Sequence, residues 1–377
     1  MSDYLRAKLF TGFPWNLWAY STVWANEVLQ ILNITGLYLY NLFVITFFTI
    51  PVIIFFRISV IKKLLIFLLS ILIILFLVIY GNYEINKNRK LLNNTNQSLF
   101  VKIISPNFDL EYGLNEREIE ERFKKLIRYS DPKKNQKTVF IWPEGVFSGY
   151  SFDEVSIFKE MIRTNFSKEH IIIFGANKLD KKTGNFFNSM LVVNNNFKLI
   201  QSYDKLKLVP FGEFLPFEKT LNKFGFKKIT EGHGSFLKGT KNNILTIDKS
   251  IILPLICYEI IFTDLIQKSD FETNLIINIS EDGWFGKTIG PDQHFAKSIF
   301  RAIENNTFLL RSANQGVSAI IDNKGTIIKQ LSRNEAGNIE FKVPLIKSKK
   351  IKNELIFFVL LITYLFIFFI NKKNNEK

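Results

Sequence analysis

One cysteine, Cys257, stands in 377 residues, so no intramolecular disulfide framework exists. Three histidines (His170, His233 and His294) are scattered and none has zinc-ligand spacing, so no metal site is expected. Phosphate loops are missing too. Gly283-Trp284-Phe285-Gly286-Lys287-Thr288 ends like one, but Glu281 occupies the place where the loop demands its first glycine. No dinucleotide fingerprint occurs, and no cofactor is expected. Basic residues outnumber acidic ones by 49 to 34, a net charge of +15, yet the lysines are interleaved with Ile, Asn and Phe rather than gathered into a stripe. That pattern argues against nucleic acid as a partner and suits an anionic membrane surface.

Hydrophobic residues make up 47% of the chain and concentrate at its two ends, the pattern of a membrane protein with a soluble middle. Leu37–Phe56 and Leu64–Tyr80 are apolar runs separated by Arg57, Lys62 and Lys63. As a helix the first spans about 30 Å, and the second is near the lower limit for crossing a bilayer. A third run, Leu355–Ile370, is shorter, with Lys350 and Lys352 placed to snorkel at its start. Positive charge in the Arg57–Lys63 loop and in the tail (Lys372, Lys373, Lys377) predicts that both are cytoplasmic and that the middle lies on the opposite face. Asn82–Asn96, polar and Asn-rich, reads as a flexible tether. Ahead of the first run, Phe13-Pro14-Trp15-Asn16-Leu17-Trp18 crowds aromatics together, either as an interfacial belt or as the lining of a lipid-entry groove.

The middle alternates strands and helical patterns. Phe100–Ile104, Thr138–Trp142, Ile171–Gly175, Ile251–Ile256 and Leu275–Ile279 read as strands, and Ile119, Phe123, Leu126 and Ile127 share one helix face. β-then-α alternation predicts an α/β layered domain. Three reactive groups follow strands. Glu144 comes after Val139–Pro143, Lys205 after Phe197–Ser202, and Cys257 after Ile251–Ile256. Strand ends are where such folds present functional groups, so the three can converge on one cleft.

Cys257 is the natural nucleophile. Tyr258–Phe262 reads as the start of a helix, whose N-terminus would lower the thiol pKa. Acyl transfer through a thiol needs a base, and Glu144 in an apolar wall fits; the oxyanion needs a cation, for which Lys205 and Lys207 both qualify by spacing. Glu213 sits in the rigid Val209-Pro210-Phe211-Gly212-Glu213-Phe214-Leu215-Pro216 loop, which suggests a positioned group. Glu259 reads equally as a supporting carboxylate or a favourable first-turn helix charge.

These residues resemble the nitrilase (carbon–nitrogen hydrolase) superfamily, and more closely its membrane branch, the apolipoprotein N-acyltransferases. The resemblance runs through Thr11-Gly12-Phe13-Pro14-Trp15-Asn16, Ile141-Trp142-Pro143-Glu144 and Tyr203-Asp204-Lys205. It continues through Leu208–Phe214, Ile256-Cys257-Tyr258-Glu259-Ile260, Trp284-Phe285-Gly286, Gly290-Pro291-Asp292-Gln293-His294 and Leu310–Val317. Where the family has Asn-Asp-Ala before Trp-Phe-Gly, this chain has Glu281-Asp282-Gly283.

The resemblance implies an α-β-β-α sandwich with flanking transmembrane helices and a Glu144–Lys205–Cys257 triad, choosing Lys205 over Lys207. Glu213, Tyr258 and Glu259 would support the triad, and Trp15, Trp284 and Asn314 would meet substrate or lipid. It implies a bacterial inner-membrane, multi-pass acyltransferase with an extracytoplasmic catalytic domain. A phospholipid would be the acyl donor and a diacylglyceryl-apolipoprotein the acceptor, through a cysteine thioester. The expected divisions are a partial membrane region with the aromatic segment (1–36), two spans with a cytoplasmic loop (37–80), a tether (81–98), the catalytic domain (99–350), and a span with tail (351–377). Two other readings stay open: a membrane-anchored amidase or nitrilase, and an inactive lipid-binding relic.

Overall fold

The computed structural model describes residues 2–225, 234–240, 244–267, 272–346 and 354–375. His233, Lys350, Lys352 and Lys377 lie outside the described residues. Two six-stranded sheets form the centre of the molecule. One contains β1 (Ser98–Ser105), β2 (Thr138–Ile141), β3 (His170–Leu179), β4 (Phe186–Asn194) and β5 (Leu199–Asp204). The other contains β6 (Leu245–Ile247), β7 (Ser250–Ile256), β8 (Leu275–Glu281), β9 (Phe308–Asn314), β10 (Ser318–Ile321) and β11 (Ile327–Leu331). The last strand, β12 (Gly337–Pro344), returns to the first sheet, antiparallel to β1.

Each sheet has a parallel centre, β1-β2-β3 in one and β7-β8-β9 in the other, flanked by antiparallel strands. Parallel strands are buried on both faces, which explains why the sequence shows them as unbroken apolar runs. The period of two divides the first sheet cleanly. Val101, Ile103, Val139, Ile141, Ile173, Met190 and Val192 face the second sheet. Ile104, Phe140, Ile172, Phe174, Leu191 and Val193 face outward, onto Ile119, Phe123 and Leu126 of the Glu116–Ser130 helix. A capping box between Asn115 and Glu118 starts that helix, worth about 1 kcal/mol. The Gly290–Asn305 helix covers the second sheet and is itself covered by the Leu32–Thr49 helix, completing the α-β-β-α order. After β3 the turn Asp180–Gly184 sends the chain back as antiparallel β4, with Thr183 bonded to Asp180 and Gly184 at φ 73°.

Two described segments are long and apolar enough to cross a membrane, Leu32–Phe55 and Val60–Asn93. The first begins earlier than the apolar run suggests. It kinks at Gly36 (φ 69°), and its Leu37, Tyr40 and Val44 pack on the sandwich. The second corrects the expected tether at 81–98: the helix runs unbroken to Asn93. Polar composition was a poor guide because docking supplies the partners. Asn88 and Asn323 exchange amide hydrogen bonds at 2.8 Å, and Lys324 Nζ lies 3.2 Å from Glu84. Gly81 lets the helix pass hard against the Asn26–Leu29 turn, where an added Cβ would sit 1.9 Å from the Glu27 carbonyl oxygen. The third apolar run is helical from Glu354 to Asn375.

Candidate active site

Glu144, Lys205, Glu213, Cys257 and Tyr258 line one cavity of about 660 Å³ at the rim where the strands of both sheets end. Lys205 is almost wholly buried, with 1% of its surface exposed, and its Nζ lies 2.7 Å from Glu213 Oε1 and 3.4 Å from Glu144 Oε1. Lys207, the competing lysine by spacing, is instead set over the Phe262 ring. Burial alone would lower the Lys205 pKa. Glu144, Glu213 and the Cys257 site outweigh it and raise the pKa, so the ammonium is charged at every physiological pH.

Asn188 on β4 was not anticipated. Its Nδ2 donates to Glu144 Oε1 and to Glu213 Oε1, 2.7 Å each. The amide thus bridges two carboxylates that would otherwise meet with only Lys205 between them. The other oxygen of Glu144 accepts the Glu281 backbone N–H at 3.1 Å, and Glu213 Oε2 accepts that of Val209 at 2.8 Å.

Cys257 departs from expectation. It opens a five-residue 3₁₀ turn (Cys257–Ile261) in place of an α-helix, and itself holds a left-handed conformation (φ 48°). Burial first, then the Glu144 carboxylate, pushes its thiol pKa up, and Lys205 only partly opposes this. The resting sulfur is therefore a protonated thiol, contrary to the helix-lowered thiolate read from the sequence.

Glu259 is fully buried and does not face the cavity. Its carboxyl accepts from Ile256 N, Leu206 N, Lys207 N and Tyr203 Oη, all within 2.7–3.0 Å. It ties the loop carrying Lys205 to the turn carrying Cys257. Burial raises its pKa to about 7 against those donors.

Trp15 and Trp284 line the cavity, with Phe13, Phe285 and Ile289. Trp15 donates to Gln293 Oε1 at 2.8 Å, and Tyr258 Oη donates to the Gly12 carbonyl at 3.0 Å, so the N-terminal segment closes one wall. Asn314 is the exception. It is 1% exposed, lies off the cavity, and bonds Phe108 N, Phe108 O and Glu281 Oε2. Glu281 itself borders the cavity, and burial raises its pKa to about 8. Behind the thiol, Asp282 pairs with Arg311 at 2.7 Å, and burial together with Arg311 lowers the His294 pKa.

Sequence patterning could have flagged Asn188 and Ser189 as polar residues interrupting an apolar strand, but not which carboxylates they would meet. Among the described residues no group of three or more His, Cys, Asp or Glu is placed to hold a metal ion.

Two stacked sheets between helix layers, with a thiol, an ammonium and carboxyls at one rim, define a thiol-centred α-β-β-α sandwich. The carbon–nitrogen hydrolase signature matches residues 111–352, and that of the apolipoprotein N-acyltransferase N-terminal domain matches residues 1–50. This chain belongs to the carbon–nitrogen hydrolase family, in its apolipoprotein N-acyltransferase branch. It is 28% identical over 359 residues to the apolipoprotein N-acyltransferase of Rhodopseudomonas palustris, covering 91% of this chain and 66% of that one. To that of Rickettsia typhi it is 31% identical over 346 residues, covering 91% and 68%. The chain thus spans about two thirds of the length of these relatives, 66% of the first. Among solved structures, Saccharomyces cerevisiae Nit3, a member of branch 10 of the nitrilase superfamily, aligns with a TM-score of 0.48 and 16% identity, covering 66% of this chain and 91% of that one.

Proposed function

We propose that this protein moves an acyl chain from a membrane phospholipid to the N-terminal amine of a diacylglyceryl-modified lipoprotein, through a thioester on Cys257. The observation that carries this reading is the buried Lys205 held between Glu144 and Glu213 in the cavity that Cys257 floors.

The raised thiol pKa means that attack needs a base within the site. Glu144 takes the thiol proton as sulfur bonds to the ester carbonyl carbon. Negative charge develops on the carbonyl oxygen, and Lys205 stabilises it at no cost of reorganisation, because Glu213 already fixes the ammonium. Collapse breaks the carbon–oxygen bond, and Glu144 returns the proton to the departing lysophospholipid hydroxyl. In the second half the lipoprotein amine attacks the thioester carbonyl. Glu144 accepts the amine proton and delivers it to the leaving sulfur, forming the amide and restoring the thiol. Tyr258, Trp15 and Trp284 shape the approach, and Glu259 keeps the Lys205 and Cys257 loops in register.

Both substrates are lipids, so the site belongs at a bilayer surface. The Leu32–Phe55 and Val60–Asn93 segments supply apolar length for two spans, and the apolar Phe13, Trp15, Phe285 and Ile289 at the cavity mouth favour an opening beside the membrane. Exposed Arg57 and Lys62, with half-buried Lys63, at the connection favour its cytoplasmic placement, and with it an extracytoplasmic sandwich (99–350) in the inner membrane of a bacterium.

The test is incubation of purified protein with acyl-labelled phospholipid. Expected is a hydroxylamine-labile label on the protein, lost in Cys257→Ala and transferred on adding a diacylglyceryl-peptide. Folded wild type that acquires no label would overturn the proposal, and release of ammonia from amides instead would make it an amidase.

A further inference from the structure

Cys257 is a non-glycine residue in the left-handed region, a conformation that persists only where its surroundings impose it. Its backbone carbonyl lies 3.1 Å from Nε2 of His294, in the first turns of the Gly290–Asn305 helix, and the imidazole is completely buried. We propose that His294 is a positioning residue for Cys257, its imidazole gripping the carbonyl of the residue that bears the thiol. This rests on the reading of Cys257 as the acyl-accepting nucleophile.

The direction of the hydrogen bond is fixed by chemistry. A carbonyl oxygen only accepts, so Nε2 carries the proton whether the ring is neutral or charged. The other nitrogen sets the ring's orientation. Nδ1 lies 2.9 Å from Asp282 Oδ1 and 3.1 Å from Arg311 Nη2. Arg311 also bonds both oxygens of Asp282, at 3.0 and 2.7 Å, and Ser280 Oγ donates to Asp282 Oδ1 at 2.7 Å. Asp282, the first residue of the 3₁₀ turn that follows β8, and Arg311, on β9, are both fully buried, so the ring is braced at the end of the second sheet.

The ring faces are held as well, by Trp15 at 5.5 Å and Phe285 at 5.6 Å between centroids. Sheet, helix and aromatic wall therefore converge on one imidazole whose single outward hydrogen bond goes to the nucleophile's backbone. Without it the left-handed turn loses a restraint, and the thiol drifts from Glu144 and Lys205.

Because Cys257 is the only cysteine, alkylation by iodoacetamide reports its reactivity without any assumption about the substrate. The full chain in detergent is compared with His294→Ala and His294→Gln, following alkylation rate, thermal unfolding, and kcat and KM for thioester formation from labelled phospholipid. His294→Ala is expected to lower the alkylation rate and kcat about tenfold or more, since misplacement by an ångström costs up to about a hundredfold. KM should change less than kcat, because the hydrogen bond that is lost goes to the nucleophile's backbone. His294→Gln, whose side-chain amide reaches the same carbonyl, should recover most of both rates; a variant that merely lost packing would not be rescued so. A folded His294→Ala with wild-type alkylation and kcat overturns the proposal, and so does His294→Gln as impaired as a folded Ala variant. Should His294→Ala fail to fold, His294→Gln alone decides: folded with near-wild-type alkylation it supports the grip, folded but slow it refutes it. If wild type forms no thioester yet His294→Ala still slows alkylation, the acyl-transfer reading fails and the positioning role stands.

Discussion

Lys205 stands closer to Glu213 than to Glu144, 2.7 Å against 3.4 Å, although Glu144 is the carboxylate proposed to move protons. The ammonium is anchored on one side and only loosely engaged on the other. That asymmetry leaves Glu144 able to change protonation state without stranding Lys205, since a buried cation must keep at least one close partner.

Removing the anchor should therefore do more harm than its distance from the sulfur suggests. In Glu213→Ala, Lys205 falls back on Glu144 alone, and the base is tied up in an ion pair. We expect thioester formation to slow about a hundredfold. Stability should drop by about 3–5 kcal/mol, as when one partner of a buried pair is deleted. Labelled-lipid kinetics and thermal unfolding in detergent check the two effects, and near-normal turnover would count against an anchoring role.

Asn188 donates to both carboxylates, so its loss should loosen their mutual placement. Without that donor Glu144 Oε1 is no longer held at one position beside Lys205. Asn188→Ala is expected to lower kcat about tenfold while the protein stays folded. Turnover at the wild-type rate in labelled-lipid kinetics would show that the bridge does not position the base.

Glu281 predicts a pH dependence of stability. Burial raises its pKa to about 8 from an ordinary value of 4.5, so between those values the native state holds a proton that the unfolded chain has released. Stability from this group is complete below about 4.5 and is lost as pH climbs through 8. Glu259, at about 7, acts in the same direction. The unfolding temperature should fall from pH 6 to pH 9 in wild type and fall less in Glu281→Gln. Equal slopes in the two proteins would refute the assignment.

Gly81 makes a packing prediction. A methyl group there would overlap the Glu27 carbonyl oxygen, so Gly81→Ala must push the Val60–Asn93 helix off the Asn26–Leu29 turn. Overpacking of this kind costs about 1–3 kcal/mol. Proteolysis between residues 81 and 98 should quicken in the variant, and an unchanged digestion rate with an unchanged melting point would contradict the close contact.

Much of this protein is determined locally and can be read along the chain. The strands β1, β2, β7 and β8 announce themselves as apolar runs because parallel strands between two layers are buried on both faces. The Glu116–Ser130 helix is legible from the spacing of Ile119, Phe123 and Leu126, and the cavity-lining Glu144, Lys205 and Cys257 from their places just beyond strands. Tertiary structure alone decided what those groups meet. It set the Asn188 bridge and the His294–Asp282–Arg311 brace, the left-handed turn at Cys257, and the helical continuation through Asn82–Asn93 where composition suggested a tether. The physical reason is common to all of them. A buried polar group takes its state from partners distant in sequence, through hydrogen bonds and desolvation, and neither leaves a periodic signature in the chain.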